Sequence, residues 1–450
     1  MASTSAIGDA VQWLRRRVRL RTRVRRLRTA YRRRYPRPLP AWTEPAAGPT
    51  GAGPATSRVG PVVVVDPAAA SPRGRQGYEP TAPTGELRLI ADAAGAVRWE
   101  VHSGRVPVVA GRVGDPLDER RAAVLARLST IICRPAPAAL VGAWAELVAQ
   151  LAVTGVVLHV PATDIRPAST SGLASELVEL LTAPLLSPRT DPMWWEIRSV
   201  QQRRAAQRRH SAGLAAAPSV SALLVTKRPH LIPAALATLA DQTYPELEIV
   251  VGVHGPAGAA PADLPDIGRP VTVLTVPQWQ NLGEALQAVT AVASGQIVTK
   301  VDDDDCYGRE HIWDLVLARH HSRATVVGKG AEFVYLTPKD LTVRRQMVAE
   351  NYTDTVAGGT IALSAEALAE LGGWPPVPRS VDRAMLDRAL TAGAAVYRTH
   401  PLGFVYVRHG DGHTWDPGVG YFLRGRVRSW RGLPPYAEFG TGVPQPVGSP

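Results

Sequence analysis

From Ser219 onward, apolar runs of strand length alternate with stretches of helical periodicity. Val220-Ser-Ala-Leu-Leu-Val225 is a continuous apolar run, and Pro233 to Asp241 places its apolar residues on one helical face. Leu247-Glu-Ile-Val-Val251 and Val271 to Val276 read as strands, and Leu282 to Ala293 reads as a helix. Gln296-Ile-Val-Thr-Lys-Val301 is the next strand. This order predicts an α/β unit with a mostly parallel sheet wrapped by helices. Ligands of such sheets bind beyond the carboxyl ends of the strands. There the last strand runs into Asp302-Asp303-Asp304-Asp305.

The chain before Ser219 has a different texture. Leu87 to Ile90 and Val97 to Val101 predict a hairpin-like strand pair, with a β-branched run at Gly60 to Asp66 and a strand over Gly155 to Val160. Helices are expected over Asp115 to Ser129, Ala138 to Leu151 and Ser171 to Leu181, followed by a connecting helix with a basic flank from Trp194 to Arg209. Pro36 to Ser57 and Pro67 to Gly85 read as linkers. The expected division is a basic amphipathic helix and linker over 1–57, an accessory α/β module with its connecting helix over 58–210, a catalytic domain over 218–430 and a flexible tail over 431–450.

Charge sharpens the N-terminal reading. The net charge of +12 traces to thirteen arginines between Arg15 and Arg37, without which 38 basic residues face 39 acidic ones. Within residues 11–35, Trp13, Leu20, Val24, Leu27 and Tyr31 share one narrow helical face among the arginines. An in-plane helix on an anionic membrane surface needs this pattern. A solvated or nucleic-acid-attracting arginine tail is the competing reading, and no specific nucleic-acid partner is expected. No run reaches the ~18 apolar residues of a membrane span, and the start carries no signal-peptide apolar core. Cys133 and Cys306 are too far apart for a disulfide framework or zinc site, in keeping with a cytoplasmic location peripheral to the membrane.

Four adjacent carboxylates repel one another unless a cation or hydrogen-bond donors compensate them. Alternation along the turn points Asp302 and Asp304 to one side, where oxygen ligands suit Mg2+ or Mn2+ gripping a diphosphate. Asp305 is placed to cap a helix starting near Gly308. Lys227, Arg228 and Lys300 stand where they could pair with phosphates, with surface solvation as the alternative.

A series of segments in order then resembles the inverting glycosyltransferases of family 2, which have a GT-A fold. They are Leu223-Leu-Val-Thr-Lys-Arg-Pro229, Leu239-Ala-Asp-Gln-Thr-Tyr-Pro245, the helix opening at Asn281-Leu-Gly, Ala293-Ser-Gly and the aspartate cluster. Further segments are Ala357-Gly-Gly-Thr-Ile-Ala-Leu-Ser364, Leu371-Gly-Gly-Trp374 and Val381-Asp382. The resemblance implies a Rossmann-like GT-A domain with a nucleotide-sugar donor held by Thr226, Lys227, Arg228, Asn281, Lys300, Asp302 and Asp303. A divalent cation on Asp302, Asp304 and His409 is implied too, with His413 the next choice and His400 nearby. Gly358, Gly359 and Trp374 fall in its acceptor half, although Trp374 could equally be core.

The family's acidic pair reads Val381-Asp382 here, so Asp382 inherits the base role by position, with Asp387 its rival. Donor uridine is the default, and guanosine or thymidine stay open because Val251-Gly-Val-His-Gly255 lacks the usual acid. The expected activity is metal-dependent transfer of a sugar to a glycan, lipid-linked or small-molecule acceptor, in cell-surface polysaccharide or glycoconjugate synthesis. Competing readings are a silent glycan-binding module and a nucleotidyltransferase.

Overall fold

The structure, a computed structural model, describes residues 82–92, 95–115, 117–164, 170–185, 191–211, 214, 217–256, 264–409 and 418–440. The basic segment 11–35, the run at 60–66 and His413 lie outside them.

The accessory module pairs β1 (Gly85–Ala91) antiparallel with β2 (Val97–Ser103), the expected hairpin, and β2 continues into β3 (Val106–Arg112). On the other side of β1 lie β4 (Thr130–Cys133) and β5 (Val157–His159), both parallel, giving the order β3-β2-β1-β4-β5. Its helices are α1 (Glu119–Leu125), α2 (Val141–Val153) and α3 (Ser175–Thr182). Trp99, Ile131, Trp144, Leu151 and Leu177 fill its core. Each such side chain contributes about 1.5–3 kcal/mol by leaving water.

The connecting helix, α4 (Pro192–His210), starts on Asp191, whose carboxylate accepts from Met193 N, with Pro192 in the first turn. It is a clamp between the two units rather than a solvated rod. Ala205 and Ala206 enter the module core, while Met193, Ile197 and Val200 pack with Phe333, Val405 and Phe439. Gln202 donates to Leu158 O at 2.8 Å and accepts from Leu158 N at 2.9 Å, so its amide stands in for a further strand beside β5. The expected basic flank is corrected: Arg203 and Arg204 are each 6% exposed and paired with Glu350 and Asp314.

In the larger unit, β6 (Val220–Thr226), β7 (Leu247–Gly255), β8 (Val271–Pro277) and β9 (Ile297–Val301) are mutually parallel. β10 (Cys306–Tyr307) follows the aspartates. β11 (Val326–Gly328), β12 (Phe333–Leu336), β13 (Leu341–Arg345), β14 (Asn351–Tyr352), β15 (Ala362–Ser364), β16 (Val396–Arg398), β17 (Phe404–Arg408) and β18 (Arg426–Arg431) complete two sheets, ordered β14-β16-β11-β15-β9-β6-β7-β8 and β10-β17-β12-β13-β18.

Side-chain alternation on β6 explains the layering. Ala222 and Leu224 pack under α5 (Ile232–Ala240) and α7 (His311–Ser322). Leu223 faces α6 (Leu282–Val292), α8 (Ala365–Glu370) and α9 (Val381–Thr391). A short α10 (Val419–Leu423) covers the outer face of β13. The expected tail from Arg431 is also corrected as far as Gly440: Phe439 is 1% exposed, and Gln201 donates to Glu438 at 2.8 Å. No helix among the described residues is long and apolar enough to cross a membrane.

Candidate active site

Parallel pairing aligns the carboxyl ends of β6 and β9, with Leu224 opposite Val301. The Thr226 loop and the aspartate turn therefore emerge side by side. Each aspartate then takes different partners.

Lys300, on buried β9, is 4% exposed and donates from Nζ to Asp302 Oδ1 at 2.5 Å. Its Nζ also lies 3.4 Å from Asp382 Oδ1. Burial alone would lower this lysine's pKa, but Asp302 and Asp382 hold it above the ordinary lysine range. Lys300 is thus the partner of two carboxylates, which corrects its expected pairing with donor phosphates.

Asp303, expected to hold the donor, is 6% exposed and accepts from Thr226 Oγ1 and from Arg228, whose Nε lies at 3.1 Å. Burial raises its pKa despite these donors. Arg228 also reaches Asp304 Oδ2 at 2.8 Å, and Thr226 Oγ1 accepts from Arg228 N at 2.8 Å. Asp305 caps no helix, because α7 starts only at His311. Instead its Oδ1 accepts from Val407 N on β17 at 2.9 Å. Burial, together with Asp302 and Asp304, holds Asp305 well above the carboxylate range.

That hydrogen bond ties the turn to β17, and the chain following β17 presents His409. Its Nε2 stands 3.8 Å from Asp304 Oδ2. Among the described residues no three His, Cys, Asp or Glu side chains form a metal cluster. Of the expected metal ligands, Asp302 is turned to Lys300, and Asp304 Oδ2 lies between Arg228 and His409.

The second wall is the turn Gly358–Thr360. A Cβ on Gly358 would lie 1.9 Å from Asp382 Oδ2, and one on Gly359 2.7 Å from Asp302 Oδ2. Both glycines therefore leave room for carboxylates. Asp382 stands in the first turn of α9, and its buried Oδ1 has no hydrogen-bond partner within normal range. Burial raises its pKa, Lys300 opposes this, and Asp302 adds to it. The rival Asp387 pairs with Arg383 at 3.0 Å on the exposed side of α9, away from this group.

Two further expectations are corrected. Asn281 caps α6: its Oδ1 accepts from Glu284 N at 3.0 Å, and Glu284 accepts from Asn281 N at 2.7 Å, so its side chain is spent on the helix. Trp374 is 2% exposed, with its indole N–H on Thr290 at 3.0 Å, and offers no face to a sugar. Lys227 is exposed beside His254, whose pKa is lowered by burial and by the Lys227 charge. His400 is buried on Asp314, away from the aspartate turn.

Tyr307 was not anticipated. Its hydroxyl donates to Gly359 O at 2.9 Å and accepts from Asp302 N at 2.8 Å, joining the two walls. The only signal for it in the sequence is a phenol two residues after the cluster.

The profile of Glycosyl transferase family 2 matches residues 224–355. This stretch belongs to that family. It carries Thr226, Arg228, Lys300 and the four aspartates, while Asp382 and His409 lie beyond the match. The helix-flanked, largely parallel sheet of this unit is the α/β architecture expected from the sequence.

Similar solved structures include mannosyltransferase PcManGT from Pyrobaculum calidifontis in complex with GDP-Man and Mn2+, at 18% identity and TM-score 0.34, covering 44% of this chain and 59% of that one. Another is S. aureus TarS 1-349 in complex with UDP-GlcNAc, at 16% identity and TM-score 0.33, covering 43% and 60%. The chain thus spans about three fifths of each of these proteins. No curated protein matches the sequence.

Proposed function

We propose that the chain is a divalent-cation-dependent inverting glycosyltransferase, moving a sugar from a nucleotide-sugar to a hydroxyl of a glycan, lipid-linked or small-molecule acceptor. Its place would be cell-surface polysaccharide or glycoconjugate synthesis. The observation that carries this reading is the half-buried Asp382 carboxylate at the strand ends, beside Asp302 and with Oδ1 3.4 Å from Lys300 Nζ. A base with a raised pKa suits proton removal near neutral pH.

In the proposed step the acceptor oxygen bonds to the anomeric carbon as its proton passes to Asp382 and the bond from that carbon to the diphosphate breaks. Lys300 keeps Asp302 and Asp382 together without mutual repulsion. Thr226 and Arg228 fix Asp303 beside the donor loop.

The pair Asp304 and His409 fits a cation. Ligand atoms about 2.1 Å from one metal stand roughly 3 to 4.2 Å apart, and these two are 3.8 Å apart. These residues would hold Mn2+ or Mg2+, which when bound supplies Lewis-acid stabilisation of the leaving diphosphate. The loop after β6 closes in the turn Pro229–Leu231 without the glycine-rich cradle a nucleotidyltransferase needs for triphosphate. The arginines and narrow apolar face of residues 11–35 support peripheral contact with an anionic membrane at its cytoplasmic side.

A nucleotide-sugar panel read by thermal shift tests the reading. The true donor should stabilise the chain chiefly with Mn2+ present, by about 2.7 kcal/mol at a hundredfold excess over Kd. His409→Ala should remove most of the metal dependence. Equal stabilisation with and without metal would contradict the cation assignment.

A further inference from the structure

We infer that the outer face of the β13–β18 ribbon, together with α10, binds the acceptor through repeated anionic groups, making the substrate a polyanionic glycan chain. The inference rests on the glycosyltransferase reading and adds the acceptor's charge to it.

Two arginine pairs stand across this ribbon. Arg344 is opposite Arg428, and after a register shift Arg345 is opposite Arg426. The first pair is neutralised: Arg344 contacts Glu196 and Glu332, each at 2.7 Å, and Arg428 contacts Asp191 at 3.4 Å. Even the exposed Arg431 has Asp340 at 3.0 Å. The second pair differs. Among the described residues, no carboxylate lies within ion-pair distance of Arg345, Arg426 or the neighbouring Arg424.

Like charges directly opposite on paired strands destabilise the sheet. Two of these arginines, Arg345 and Arg424, have aromatic rings instead. The guanidinium of Arg345 stands 4.9 Å from the Tyr421 ring centroid, and that of Arg424 stands 5.8 Å from the same centroid. Cation–π contacts hold such groups in place but neutralise no charge. Arg345 and Arg424 flank one ring, Arg426 stands opposite Arg345, and the three together form a preorganised anion site.

The patch backs onto the candidate active site through buried side chains. Tyr421 abuts Phe422, with centroids 5.1 Å apart, and Phe422 carries Arg408 at 5.4 Å, the residue before His409.

The test is hydrogen exchange on the full chain with dextran sulfate, neutral dextran or anionic phosphatidylserine vesicles as probe. Dextran sulfate should protect amides of 341–345 and 424–431, and neutral dextran should not. The triple variant Arg345→Gln/Arg424→Gln/Arg426→Gln should need at least about tenfold more dextran sulfate for the same protection, with a weaker salt dependence. Arg431→Gln, which removes an arginine already paired, should behave as the parent.

Protection confined to residues 11–35, equal protection by neutral dextran, or protection by vesicles alone would each overturn the inference. Donor-induced thermal stabilisation, measured on the same samples, separates the two readings. If dextran sulfate protects this ribbon while no nucleotide-sugar stabilises the chain, the anion-binding face stands and only the transferase reading falls.

Discussion

Gly358 leaves no room for a methyl group, since its added carbon would meet the carboxylate of Asp382 at 1.9 Å. Its backbone conformation is open to alanine, so Gly358→Ala should fold at a cost of about 1–3 kcal/mol from overpacking. Displacing Asp382 should nevertheless reduce kcat more than a hundredfold, and near-parental turnover would separate this contact from the chemistry. Lys300 gives a second residue-level prediction, through pH. Burial raises Asp382, and Lys300 partly offsets that rise. The active base is the ionised form, so activity should grow as pH climbs through a value above the ordinary carboxylate range. Lys300→Met removes the offset and should move the acid limb of kcat/KM to higher pH. A limb that stays in place would show that Lys300 does not set the base.

At the scale of elements, α4 decides how the accessory module is held. Glu350 accepts from Tyr397 at 2.7 Å and from His400 N at 3.1 Å, and it pairs with Arg203 on α4. Burial works against its ionised form, but Arg203 and the nearby histidines hold its pKa down at about 2. Because the folded value lies below the unfolded one of about 4.3, the stabilisation is present above that value and lost as pH falls through about 2. It is worth on the order of 3 kcal/mol. Glu350→Gln should flatten the acid-induced loss of stability in urea melts across that window and cost about 3–5 kcal/mol at neutral pH. Parallel pH profiles for the two proteins would contradict this clamp. The strands and helices from Val220 to Val301 were legible because each has an unambiguous period. The buried role of α4 was not, since Arg203 and Arg204 meet partners 147 and 110 residues away. The sheet of β12, β13, β17 and β18 was hidden likewise, its strands being short and paired across long separations.

Across the whole molecule, five separate stretches converge on one site: the Thr226 loop, the aspartate turn, the Gly358 turn, the start of α9 and the end of β17. Sequence order exposed the cluster and the candidate base. The division of labour among the aspartates required the fold, because only packing sends Asp302 to Lys300, Asp303 to Thr226 and Arg228, and Asp305 to Val407. The same holds for Trp374 and Asn281, whose neighbours in space give them structural roles. The central claim is that Asp382 takes the acceptor's proton. Its most direct test is sugar transfer by Asp382→Asn, assayed beside donor binding with Mn2+. The account predicts donor affinity within a few-fold of the parent and transfer reduced by about two to four orders of magnitude. Transfer at the parental rate with an intact donor site would contradict it.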